Sequence, residues 1–131
     1  MSDQNDMNPP GKNPLGVGRV FAALGYSLNG LRHAASREPA FQQELMFLAA
    51  ATLLALILPI ASVFKLALVV IHLFILVVEL LNSAIEAIVD KASPEYHELA
   101  KQAKDMGSAA VLLAFLMAVV VWIAAIWPLV G

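Results

Sequence analysis

The chain has no cysteine among its 131 residues, which excludes disulfides, thiolate metal sites and cysteine nucleophiles and leaves the redox compartment open. Charge is scarce too. Only 14% of residues are Asp, Glu, Lys or Arg, against 60% hydrophobic, whereas a soluble domain carries about 25% charged residues. Neither sign dominates: 8 basic residues stand against 10 acidic ones for a net charge of −2. The basic footprint of a nucleic-acid binder is therefore missing, and no nucleic-acid partner is expected. Phosphate loops are missing as well: there is no GxxxxGK[ST], and Gly16-Val17-Gly18 is too short for a GxGxxG fingerprint. His33, His72 and His97 form no paired metal-ligand pattern, which argues against zinc. Chemistry is left to carboxylates, amides, hydroxyls and lysines.

What the chain does have is long apolar runs. A helix needs about 20 apolar residues to cross roughly 30 Å of hydrocarbon. Residues 45–64 form one such run; 66–78 form a second that stays apolar on one face as far as Asp90; 106–131 form a third with no charge at all. Pro59 separates the first two and predicts a tight helical hairpin. Lys91-Ala92-Ser93-Pro94-Glu95 reads as a helix stop followed by a start, with Ser93 as the cap and Pro94 in the first helical position. Upstream, Val20, Leu24, Leu28 and Leu31 recur at helical spacing among Arg19, Asn29, Arg32 and His33, the pattern of an amphipathic helix lying on a membrane surface. The first residues are polar, lack a leader pattern and read as a disordered tail. The expected architecture is an all-α membrane protein: a tail over 1–15, then a single domain over 16–131. That domain has a surface helix over about 18–35 and three transmembrane helices over about 38–60, 64–90 and 101–128.

Basic residues mark the cytoplasmic side of short loops. Lys12, Arg19, Arg32 and Arg37 precede the first span, Lys91, Lys101 and Lys104 lie between the second and third, and only Lys65 lies in the other loop. The N-terminus is expected in the cytoplasm and the C-terminus outside.

Acids in or near hydrocarbon cost about 2.5–3.5 kcal/mol each even on gentle scales, and by default mark function. At about 100° per residue, Glu79, Asn82, Ser83, Glu86 and Asp90 share one stripe on the second span. Lys101, Lys104, Asp105 and Ser108 share a face at the start of the third, and Glu38 and Glu44 flank the start of the first. Magnesium prefers carboxylate oxygens and takes one or two from protein, with phosphates and waters completing its shell; Glu38 and Glu86 suit that role. Glu79, deeper in the span, suits a general base on a membrane-dissolved alcohol, which together suggests phosphoryl transfer to a lipid hydroxyl. The same stripe also serves a set of interhelical hydrogen bonds holding a bundle together, and spacing does not separate the two. His72 reads as a packing hydrogen bond, and Trp122 and Trp127 as interfacial anchors.

Residue strings go further. Glu79-Leu80-Leu81-Asn82-Ser83-Ala84-Ile85-Glu86-Ala87-Ile88-Val89-Asp90, Glu95-Tyr96-His97-Glu98-Leu99 and Ala103-Lys104-Asp105-Met106-Gly107-Ser108-Ala109-Ala110-Val111 closely resemble the bacterial membrane diacylglycerol kinase family. The resemblance reaches back through Gly30-Leu31-Arg32 and Gly25-Tyr26-Ser27 to Arg19. It implies a homotrimeric bundle of three-span subunits in the bacterial inner membrane, with sites between subunits, transferring the ATP γ-phosphate to diacylglycerol with Mg²⁺ as cofactor. By that resemblance Glu79 is the base and Asn82 orients it, while Glu38 and Glu86 hold the metal. Arg19, Tyr26, Glu38, Glu86, Glu95, Tyr96, His97, Lys104 and Asp105 contact nucleotide. Arg32, Ala40, Phe41, Gln43, Glu44, Glu79, Ser108 and Trp122 belong to the lipid side. The family often has an aromatic and a lysine at Leu28-Asn29 and an arginine at Gln42, so anionic-lipid contacts differ here. Undecaprenol kinases resemble the same family, and a non-enzymatic bundle is the remaining alternative.

Overall fold

The computed structural model describes residues 16–131; the tail expected over 1–15, with Lys12, lies outside the described residues. Four helices account for nearly everything: α1 (Gly16–Arg37), α2 (Pro39–Ile57), α3 (Ser62–Ala92) and α4 (Glu98–Val130), with no strand among the described residues. Three of them, α2, α3 and α4, are long and apolar enough to cross a membrane. The described residues fall into two compact units that divide between His33 and Ala34.

The first unit is the bulk of α1. Its apolar side chains lie open, with Val20, Phe21, Leu24 and Leu28 all more than half exposed, and Ser27 donates to the Ala23 carbonyl at 3.0 Å.

In the second unit each helix boundary has a local cause. Glu38 takes an extended conformation because Pro39 follows it, and Pro39 opens α2 with the φ a helix needs and no N–H to leave unpaired. α2 stops at Ile57, where Leu58 turns extended ahead of Pro59. The short hairpin is closed by Lys65, whose Nζ donates to the Leu56 carbonyl at 3.2 Å, a cation on an open helix C-terminus. Ser93 ends α3, its N–H reaching the Val89 carbonyl at 2.8 Å.

The next helix begins later than the Ser93-Pro94 signal suggests. Ser93 Oγ donates to the Glu95 carbonyl and shapes a loop. α4 starts at Glu98, capped by His97, whose Nδ1 accepts the Leu99 N–H at 3.2 Å. Ring nitrogen replaces hydroxyl as the cap because Ser93 is already engaged within the loop.

Core packing is dominated by the antiparallel pair α3 and α4, with α2 on α3. The buried positions of α4 are Gly107, Ala114, Ala118 and Ala125, which fall within about 20° of one line at about 100° per residue. Against this small-residue line α3 sets Leu68, Ile71 and Ile75, the last fully buried. Small residues let two helices approach closely, which is how packing is gained where lipid offers no hydrophobic drive between them. On α2, Phe41 is buried with Ala34 and Leu76. Large apolar side chains elsewhere, such as Leu53, Leu56, Val70, Leu112 and Val120, are more than half exposed, the inverse of a water-soluble core.

Candidate active site

The stripe that packs α3 onto α4 turns polar after Ile75. Glu79 is buried at 6% exposure, Asn82 and Ser83 are half-buried, and Glu86 is exposed. Glu79, Asn82, Ser83 and Glu86 line a cavity of about 370 Å³ together with Glu38, Pro39 and Ala40 from the start of α2 and Ser108 and Val111 from α4. Three carboxylates from two helices thus meet one opening. Glu38 makes no side-chain bond to its own helix end.

Within this cavity the Asn82 amide donates from Nδ2 to Glu86 Oε1 at 3.2 Å; its hydrogen bond goes to Glu86 rather than to Glu79. Its carbonyl Oδ1 is buried with no hydrogen-bond partner, pressed against the bare Cα of Gly107. A Cβ at Gly107 would collide with Oδ1 and stand 3.3 Å from Cγ.

A second cavity of about 480 Å³ lies around the α3–α4 loop. It is lined by Asp90, Ser93, Pro94, Glu95, Tyr96, His97, Lys101, Lys104 and Asp105 with Val89 and Ala100. Lys104 and Asp105 do not pair with each other: Lys104 Nζ meets Asp90 Oδ1 and Lys101 Nζ meets Asp105 Oδ2, each at 2.5 Å. Both pairs are exposed, so each is worth under about 1 kcal/mol. Tyr96 donates its hydroxyl to Glu98 Oε2 at 2.9 Å. That hydrogen bond, followed by desolvation and the charge of Asp105, holds its pKa above the ordinary phenol value, so Tyr96 remains a neutral donor at physiological pH.

Glu38, Ala40, Glu79, Asn82, Glu86 and Ser108 therefore share the first cavity, and Glu95, Tyr96, His97, Lys104 and Asp105 the second. Arg19, Tyr26 and Arg32 are exposed on the first unit. Phe41 lies in the protein core and Gln43 is exposed. Glu44 is 3% exposed, with Oε2 unpartnered. Trp122 lies away from the acidic cavity, about 21 Å beyond Ser108 along α4, where its Nε1–H donates to His72 Nε2 at 3.3 Å. His72 Nδ1 is buried without a partner. Gly107 carries no functional group that marks it in the sequence; its spacing to Ala114, Ala118 and Ala125 is the signal that points to it.

The helices, their exposed apolar surface and a carboxylate-lined cavity where the stripe turns polar define a multi-pass membrane protein with an acidic site. The family model of prokaryotic diacylglycerol kinases matches residues 25–126, and the chain belongs to that family. A diacylglycerol kinase of Escherichia coli K12 is 44% identical over 119 residues, 91% of this chain and 98% of the relative. One from Pseudomonas aeruginosa is 42% identical over 117 residues, covering 88% and 95%. One from Haemophilus influenzae is 37% identical over 116 residues, covering 82% and 91%.

Proposed function

We propose that this chain is an ATP-dependent kinase that phosphorylates diacylglycerol to phosphatidate at the cytoplasmic face of a bacterial inner membrane. The observation that carries the reading is the convergence of Glu38, Glu79, Asn82, Glu86 and Ser108 on one cavity. Glu79, the buried acid, takes the proton from the lipid hydroxyl as its oxygen attacks the γ-phosphorus; the bond to the β-phosphate oxygen breaks and ADP leaves. Ser108 and buried Glu44 border the lipid side. The loop cavity, with Tyr96 as donor and Lys104 as cation, receives the nucleotide.

The donor set fits magnesium. Among the described residues no three acids or histidines form a self-sufficient metal cage, and magnesium needs only one or two carboxylates when phosphates complete its shell. Glu38 and Glu86 would hold it, and its chemistry there is neutralisation of phosphate charge. We further propose that α1 lies on the membrane surface and that the subunit acts as a homotrimer with the N-terminus cytoplasmic and the C-terminus outside. The apolar spacing in α1, the basic residues near its ends and the family membership support this.

The test is turnover of purified protein in lipid-detergent micelles with Mg²⁺ and ATP, with diacylglycerol and undecaprenol side by side. Phosphatidate should form, faster than undecaprenyl phosphate; the reverse order would reassign the substrate, and no turnover of either lipid alcohol would remove the kinase reading.

A further inference from the structure

We infer that Gly107 is a positioning residue for the acidic cavity: its bare Cα is the seat on α4 that holds the Asn82 amide so that Nδ2 points at Glu86. The inference rests on the kinase reading of that cavity. Three observations support it. Gly107 is buried on the α3–α4 seam, and a Cβ there would overlap Asn82 Oδ1 and crowd Cγ. Asn82 Oδ1 has no hydrogen-bond partner although it is buried, so steric contact with Gly107, rather than a bond, fixes that end of the amide. The other end donates to Glu86 Oε1 at 3.2 Å, and turning the amide over would set its carbonyl oxygen against a carboxylate.

What a methyl group displaces decides the outcome. The group in its way is the tip of a side chain, not helix backbone. With Ala at 107 the helices can stay in place while Asn82 swings away and releases Glu86. The loss should therefore fall on whatever Glu86 holds, which is the metal–phosphate end of the cavity, and leave the lipid end alone. One hydrogen bond to a charged group corresponds to roughly a tenfold effect.

The experiment compares the full-length chain with Gly107→Ala, using Mn²⁺ and a non-hydrolysable ATP analogue and reading bound Mn²⁺ by electron paramagnetic resonance. Gly107→Ala should weaken Mn²⁺ binding roughly tenfold, raise the Mg²⁺ needed for half-maximal turnover and leave the KM for diacylglycerol unchanged. Unchanged Mn²⁺ affinity, or an equal rise in lipid KM, would overturn the inference. In an Asn82→Ala background, where the amide is gone, adding Gly107→Ala should leave Mn²⁺ affinity unchanged and should not lower thermal stability. If Gly107→Ala alone fails to fold, restoration of folding by Asn82→Ala supports the contact, and failure to restore it overturns the inference in favour of plain helix packing. A wild-type chain that binds Mn²⁺ and nucleotide but phosphorylates no lipid sinks the kinase reading, whereas an active wild type with an indifferent Gly107→Ala sinks only this inference.

Discussion

The α3–α4 seam has two halves built on one spacing and filled with opposite chemistry. Toward the α2–α3 hairpin, Leu68, Ile71 and Ile75 pack on Ala114, Ala118 and Ala125, and the His72–Trp122 hydrogen bond is its polar interruption. Past Ile75 the α3 stripe carries Glu79, Asn82 and Glu86, while α4 still presents a small residue, Gly107. The polar half is thus a continuation of the packing stripe, with acids and an amide where the dry half has Leu and Ile. The dry half delivers rigidity that the wet half needs, since a carboxylate in an apolar layer is useful only when its neighbours hold it in one place.

That contrast can be broken at graded strength. Glu79→Gln keeps the shape of the side chain but accepts no proton, so turnover should fall by about 10²–10⁴ with thermal stability retained; an active Glu79→Gln would place the base elsewhere. Glu86→Gln should raise the Mg²⁺ concentration for half-maximal turnover about tenfold, and an unchanged metal dependence would contradict its ligand role. In the dry half, Ala114→Leu overfills a position 1% exposed and should cost about 1–3 kcal/mol of stability in a detergent unfolding titration, without altering the Mg²⁺ dependence of the surviving activity. His72→Leu removes one interhelical hydrogen bond in the membrane, worth about 0.6 kcal/mol. A loss from His72→Leu as large as that from Ala114→Leu would mean that polar contact, not close packing, holds the pair.

The three apolar helices are legible in sequence because hydropathy and length alone define them. The acidic stripe is legible because charge is rare enough here for Glu79, Asn82 and Glu86 to stand out at helical spacing. The face on which α4 packs is not. A span that is apolar all round has almost no periodic contrast, and Gly107, Ala114, Ala118 and Ala125 read as ordinary membrane residues until a neighbouring helix is set beside them. The start of α4 is hidden for a related reason: Ser93-Pro94 is a good local helix start, but the hydroxyl is spent on the Glu95 carbonyl and His97 takes over. Asn82 illustrates a further limit, since spacing places it between two acids and cannot say that its amide turns toward Glu86.

Lys65 has a consequence for depth. A cation fastened to the Leu56 carbonyl belongs at the water's edge, which pins that end of the bundle to one surface of the bilayer. From there α3 rises about 1.5 Å per residue, bringing Glu79 to about 21 Å along the axis within a hydrocarbon layer of roughly 30 Å. On that count the acid lies about 9 Å short of the opposite hydrocarbon boundary, among the acyl chains and below the level of the glycerol. Read this way, α3 is a gauge: one residue inserted between Lys65 and Glu79 would lift the acid by about 1.5 Å and swing it about 100° off the seam, and of the two changes the swing is the graver.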